Sequence, residues 1–283
     1  MPNLLKKLVV SPGSKIKLRD IDPGYHGHHE SHEKALPDIQ SHVQRMDQLQ
    51  FLMYAEKKHS LLIVLQGLDA GGKDGVIRHL LTGMNPAGCR VTGFKQPTPE
   101  ELEHDFLWRV HPHAPGKGEV AIFNRSHYED VLVVRVHNLV PKKTWSRRYD
   151  LIKAFEKDLL ANDTHVLKFY LHISKEEQLK RFKDRLDDPT KHWKISEADY
   201  KERGFWDEYA KAYEEALSRC STEDAPWFVI PANHKWFRNL AIARIVVEHL
   251  ETLKMEPPKP TVDLARIRKE YHSAANEGRR GRR

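Results

Sequence analysis

A chain of 283 residues, 39% hydrophobic and 31% charged, has the makeup of a globular protein able to bury one substantial core. Two cysteines without paired spacing, Cys89 and Cys220, exclude a disulfide framework and a cysteine-built metal centre. The opening "MPNLLKKLVVSPGSK" lacks a signal-peptide core and no apolar stretch could span a bilayer, so a cytoplasmic protein is expected; its net charge of +7 favours anionic partners without choosing among them.

Residues 1–34 read as an N-terminal arm. Within it "YHGHHESHEK" holds four histidines in a short polar stretch. Such a stretch can bind a transition metal, but with no helix or strand to fix the imidazoles a solvated arm is the favoured reading. From Ala35, Leu36, Ile39, Val43, Met46, Leu49, Leu52 and Met53 recur at helical spacing and predict an amphipathic helix over 35–58. Leu61 to Leu65 then form an unbroken apolar run, the signature of a parallel strand covered on both faces.

That strand leads into "GLDAGGKDG". Gly67, Gly72 and Lys73 fit the spacing G-x-x-x-x-G-K, in which loop N–H groups and a helix N-terminus surround phosphate oxygens while the lysine neutralises the outer ones. The residue that commonly holds Mg²⁺, Ser or Thr, is here Asp74, and a second carboxylate, Asp69, lies inside the loop. Two acids beside a polyanion require an intervening cation, which points to phosphoryl transfer with Mg²⁺ held by carboxylate. A plain tight turn is disfavoured because Val76, Ile77, Leu80 and Leu81 continue the pattern as one helical face.

Further on, "RVTGF" from Arg90 reads as a second strand, "PEELEHDFLWRVHPH" as a helix with Pro near its start, and residues 118–124 as a third strand. The third strand ends in a polar cluster, Asn124, Arg125, Ser126, His127, Tyr128, Glu129 and Asp130, where nucleotide-binding sheets of this kind place ligand-contacting groups. A capping box from Ser126 to Glu129 is a compatible reading, though it leaves Arg125 and Asp130 unexplained. Helices are predicted at 143–161, 175–186, 196–219 and 235–253, with strands from Thr164 and Pro226; alternating strands and helices imply a parallel sheet. The segment 175–196 is a basic helix running into a Pro-containing loop. Arg181 and Arg185 share a helical face and could reach one anion, although a solvated charged helix explains the same spacing. "MEPPKP" from Met255 marks the end of the compact part, and the basic "EGRRGRR" reads as a disordered end.

With these three segments in place the sequence resembles a family 2 polyphosphate kinase, over residues 35 to 253. "GLDAGGKDG", "FNRSHYEDV" and "RLDDPTKHWKIS" are similar to that family's phosphate loop, second motif and lid. The resemblance implies an α/β P-loop kinase fold, a parallel sheet flanked by helices with a helical lid at about 181–196, between the arm and a tail at 255–283. It implies Mg²⁺-dependent (or Mn²⁺-dependent) reversible transfer of a terminal phosphoryl group between inorganic polyphosphate and a nucleotide, in a homo-oligomer, dimer or tetramer, acting on neither nucleic acid nor membrane. Carried over, Asp69 is a metal-organising acid, Lys73 the phosphate lysine, Arg125 a phosphate clamp and Arg181 or Arg185 the lid arginine. Gly67, Ala70, Gly71, Gly72, Asp74, Gly75, Asn124 and Tyr128 become nucleotide- or phosphate-contacting positions. The diphosphate-limited subgroup opens its second motif with Asp and has Asn later; Asn124 and Glu129 here resemble the subgroup that accepts mono- and diphosphates, adenine and guanine alike. An amide is a poor ligand for a hard cation, so the second metal-binding role falls to Glu129 beside Asp69.

Arg78, Arg135, Lys142, Lys143, Arg147 and Arg148 are candidates for a basic path along polyphosphate, each also explicable as surface charge. Two other functions fit parts of the chain. An ATP-dependent small-metabolite kinase would use the same motifs, and a nucleotide-switched nucleic-acid-binding protein would suit the charge and the tail but not the loop carboxylates.

Overall fold

The computed structural model describes residues 3–280. Five strands form one parallel sheet: β1 Ser60–Gln66, β2 Cys89–Gly93, β3 Val120–Asn124, β4 Thr164–His172 and β5 Trp227–Pro231, in the spatial order β2-β3-β1-β4-β5. Helices are α1 Asn3–Leu8, α2 His32–Glu56, α3 Lys73–Thr82, α4 Pro99–Glu103, α5 Val133–Val136, α6 Lys142–Ala161, α7 Lys175–Leu186, α8 Glu197–Arg203, α9 Trp206–Cys220, α10 Lys235–Thr252 and α11 Leu264–Arg280.

The strand period of two divides the core. Leu61, Ile63 and Leu65 of β1 face one side with Met46, Met53, Val76, Leu80, Phe237 and Ile245 from α2, α3 and α10. Leu62 and Val64 face the other with Tyr149, Ile152, Phe155, Tyr213 and Leu217 from α6 and α9. Every residue of β1 is buried, as its unbroken apolar run demands. The chain leaves β1 toward β2 and β3, then crosses to β4 on its other side, so the crevice at the carboxyl end of β1 lies where the winding changes direction. This is the P-loop kinase architecture expected from the sequence.

Four expectations need correction. The helix predicted from Pro99 stops after Glu103: Thr98 and Glu101 cap its start, and the Asp105 side chain accepts the Leu107 N–H at 2.9 Å, diverting the backbone into turns. The single helix over 196–219 is two, broken at Gly204 and Phe205, where glycine's low helix propensity meets a new N-terminus. The arm is packed, not solvated along its length. Leu8, Val10 and Leu18 are buried, and Val10 N–H donates to Trp227 O at 2.8 Å, covering the exposed edge of β5. The basic end forms α11 rather than a coil as far as Arg280; Arg282 and Arg283 lie outside the described residues.

Candidate active site

Backbone geometry explains the glycines of the loop. Gly67 and Gly72 have φ of +155° and +103°, and a Cβ on Gly72 would sit 2.0 Å from Arg238 Nη1. A Cβ on Gly71 would meet Leu68 O at 2.9 Å. Ala70 and Arg125 also adopt the left-handed region, at +61° and +63°, a strain of about 1–3 kcal/mol for a non-glycine residue that concentrates at ligand-binding positions.

The loop, the end of β1 and the end of β3 bring four charged groups together. Arg125 lies between the two acids, with Nη2 3.1 Å from Asp69 Oδ1 and Nη1 3.5 Å from Glu129 Oε2. Lys73 Nζ donates to the carbonyls of Gly67 at 2.6 Å and Leu68 at 3.4 Å, which holds the ammonium within the loop. Burial and the neighbouring Arg125 lower the Lys73 pKa, against the pull of Asp69, Glu129 and Asp74. Burial raises Glu129 above the ordinary carboxylate value despite Arg125 and Lys73. Burial works against the Arg125 cation too, but Glu129 and Asp69 outweigh it and its pKa rises.

Asp74, which replaces the usual hydroxyl residue, is a junction. Its Oδ1 accepts from Asn124 Nδ2 at 3.1 Å and its Oδ2 lies 3.4 Å from Lys194 Nζ, tying the start of α3 to β3 and to the turn Pro189–Lys194 beyond α7. Gly75 is packed against Arg238, where a Cβ would meet Nη2 at 2.9 Å.

Two expected contacts fall elsewhere. Tyr128 is fully buried instead of facing a nucleotide: its hydroxyl donates to Glu156 Oε1 at 2.8 Å and accepts from Lys168 Nζ at 3.1 Å. The reason is that residues 127–130 form a tight 3-10 turn, which turns Tyr128 into the core while Arg125 and Glu129 remain on the crevice side. Arg181 does not share an open face with Arg185. It is 5% exposed and lies under the loop, donating to Ala70 O at 2.8 Å, Gly71 O at 3.1 Å, Asn233 O at 3.2 Å, Ala232 O and the Glu177 carboxylate. Arg185 remains nearer the surface, with Nη1 on Lys194 O at 2.7 Å and its guanidinium against the Phe182 ring. Of the candidate polyphosphate path, Arg135 is engaged by Glu215 and Trp145, and Arg148 by Asp130 and Phe106.

Three supporting residues escape sequence reasoning. Arg238 packs beside Arg181 under Gly72; burial and Arg181 bring its pKa down to about 10. Gln178 Nε2 donates to Asp69 O at 3.0 Å, and Lys194 reaches Asp74. Only Lys194 carries a signal, as the second lysine of the lid-like "KHWK".

A glycine-lined loop between a buried strand and a helix, with Asp69, Arg125 and Glu129 beside its lysine, suits a phosphate ligand, and comparison with known proteins narrows the reading. The family model for polyphosphate kinase 2 (PPK2) matches residues 28–258. An AMP/ADP-polyphosphate phosphotransferase from Meiothermus ruber is 50% identical over 260 residues, covering 90% of this chain and 96% of that protein. An ADP-polyphosphate phosphotransferase from Rhodopseudomonas palustris is 44% identical over 272 residues, covering 90% and 93%. The crystal structure of a polyphosphate kinase 2 from Arthrobacter aurescens superposes with a TM-score of 0.92 at 39% identity, over 95% of this chain and 96% of that one. The family model spans most of the chain, from ahead of α2 to beyond α10, and the glycine-rich loop, the Asn-Arg turn after β3 and the segment 181–196 all lie inside it, so the chain belongs to the polyphosphate kinase 2 family.

Proposed function

We propose that the protein transfers the terminal phosphoryl group of inorganic polyphosphate to nucleoside mono- and diphosphates, reversibly and with a divalent cation. The observation that carries this is the convergence of Asp69, Lys73, Arg125 and Glu129 on one glycine-lined loop. Among the described residues no helix is long and apolar enough to cross a membrane, which accords with water-soluble substrates.

The donor chemistry fits a hard cation. Asp69 and Glu129 offer carboxylate oxygens on either side of one guanidinium, the ligand type Mg²⁺ or Mn²⁺ prefers. When bound, such an ion would neutralise phosphate charge and orient the transferring group. The remaining work belongs to the chain. Loop N–H groups from Ala70 to Gly75 cradle the phosphates, Lys73 leaves the Gly67 carbonyl for a phosphate oxygen, and Arg125 holds the group in transfer. The acceptor's terminal oxygen is already anionic at neutral pH, so it attacks the last phosphorus of the chain, the bond to the bridging oxygen breaks and polyphosphate one unit shorter leaves as an anion, without a strong base or a covalent enzyme intermediate. Arg185 and Lys194, carried on the lid, complete the charge and exclude water. Arg181 and Arg238 keep the loop in shape from below. Assembly as a homo-oligomer and a cytoplasmic setting belong to the same reading.

The deciding test incubates the purified protein with Mg²⁺, polyphosphate and AMP, ADP, GMP or GDP in turn and resolves the nucleotides by chromatography. Monophosphates are expected to gain one and then two phosphates with no ATP supplied. Absence of any lengthened nucleotide with polyphosphate as sole donor would refute the proposal.

Acid sensitivity follows from Glu129. Because burial raises its pKa, it loses its charge at a higher pH than an ordinary carboxylate, and activity falls as pH drops through that point. Protons and cation compete for the carboxylate, so raising Mg²⁺ moves the acid limb of kcat/KM to lower pH. Tm separates this limb from acid unfolding, because burial lowers the pKa values of His127, His172 and His249 and those groups do lose stability as pH falls through them. Glu129, whose pKa is raised, and Asp130, raised to about 6, give stability that is lost as pH rises through their folded-state pKa values, so mild acidification favours folding at these two groups. A limb that ignores Mg²⁺, or one tracking a falling Tm, would count against this assignment.

A further inference from the structure

The histidine-rich stretch is unused by phosphoryl transfer, and the fold gives it the fixed scaffold that the sequence did not promise. Gly27, at φ +70°, turns the arm back so that it runs against α2 and α10. His28 and His29 follow, with ring centroids 4.2 Å apart, and the His29 ring meets Trp236 of α10 edge-on at 6.3 Å. His29 Nε2 lies 3.4 Å from Oδ2 of Asp38, which stands in the second turn of α2. One ligand atom from each of His28, His29 and Asp38 lies within 4.8 Å of the others.

We propose that His28, His29 and Asp38 form a binding site for a borderline divalent metal ion of the Zn²⁺ class, which fastens the N-terminal arm to α2. Two imidazole nitrogens and one carboxylate oxygen are the donor set of such ions, whereas Mg²⁺ takes oxygen ligands, so the site discriminates against the cation expected at the phosphate loop. Ligands about 2.0–2.1 Å from a tetrahedral ion stand about 3.3 Å from each other. The 3.4 Å between His29 and Asp38 already matches that spacing, and the His28 ligand atom lies within 4.8 Å of both.

The carboxylate sits on a fixed backbone. His42 Nδ1 contacts Asp38 O at 2.6 Å, and His29 is held with only 11% of its side chain exposed. An open cavity of about 560 Å³ beside the triad leaves room for water as the fourth ligand. The nearby cation Arg244 is engaged by Glu248 at 2.6 Å, and Lys7 lies over the Tyr25 ring at 3.7 Å. Residues 26–29 and residue 38 belong to separate segments, so a shared ion adds a crosslink between arm and domain. The arm also carries Val10 onto the edge of β5.

The test uses the untagged full-length protein, stripped with chelator and titrated with Co²⁺ as a spectroscopic probe. One Co²⁺ per chain is expected, with the visible bands of a four-coordinate ion, displaced by Zn²⁺ and retained in excess Mg²⁺. His28→Ala, at an exposed position, and His29→Ala each lose the bands, while His32→Ala keeps them. Zn²⁺ raises Tm and slows amide exchange over residues 25–31 in the parent but not in His28→Ala, and the Mg²⁺-dependent activity of His28→Ala is unchanged. Absence of a stoichiometric site, or bands and a Zn²⁺-induced Tm rise that survive both substitutions, would overturn the proposal.

Discussion

Lys73→Met lowers kcat by about a thousandfold or more, with nucleotide KM changed far less, because the ammonium is matched to charge that develops as the phosphoryl group moves. The structure supports a role in transfer over one in the fold. Lys73 Nζ rests on two loop carbonyls and has no carboxylate within salt-bridge distance among the described residues, so it is free to exchange those carbonyls for phosphate. Asp69→Asn is expected to lose about 10²–10³-fold, since the amide preserves shape but not the charge that holds a cation. Neither substitution costs much stability. The Asp69–Arg125 contact is partly exposed, with Arg125 at 40% and still engaged by Glu129, and exposed pairs contribute about 0–1 kcal/mol. Single-turnover kinetics together with Tm check both halves: retained turnover in either variant removes its residue from the proposed chemistry, and a large fall in Tm makes the loss of activity structural.

How much could be read in advance depended on whether the cause was local. The phosphate loop was legible because its demands are local: a strand buried on both faces, glycines at positive φ and a lysine at the first position of a helix are all written within Ser60–Gln66 and Lys73–Thr82 and the turn between them. Arg125 was legible because it follows that strand's neighbour directly. Tyr128 was not, since its fate rests on a 3-10 turn and on Glu156 and Lys168, which the sequence carries far away. Lys168 itself interrupts an apolar strand at full burial and is accommodated by Glu156, Tyr128 and the Cys220 carbonyl, a network no periodicity announces. The arm's histidines were set aside for want of a scaffold, and the scaffold proved to be α2 and a helix beginning two hundred residues later in the chain, α10.

Arg181 and Arg185 separate the same kinds of cause. Helical spacing places Arg181 and Arg185 on one face but cannot tell which end of that face is turned inward; the carbonyls at 232 and 233, beyond β5, decide it. Arg181→Ala therefore leaves five acceptors without their donor, two of them, the Ala70 and Gly71 carbonyls, on the phosphate loop. A loss of about 3–5 kcal/mol is expected, a fall of roughly 10 °C in Tm, with kcat declining because the loop loses its support. Arg181→Lys restores little, since one ammonium cannot reproduce a fork that serves both strand ends. Arg185→Ala gives up one part-buried backbone contact and a stacking contact with Phe182, so Tm stays within about 1–2 °C while kcat falls by about 10²-fold or more through loss of charge over the transferring group. Measured side by side, Tm and kcat tell buttress from lid. An Arg181→Ala protein that melts normally would disprove the support role, and an Arg185→Ala protein with full kcat would leave Lys194 as the lid's cation.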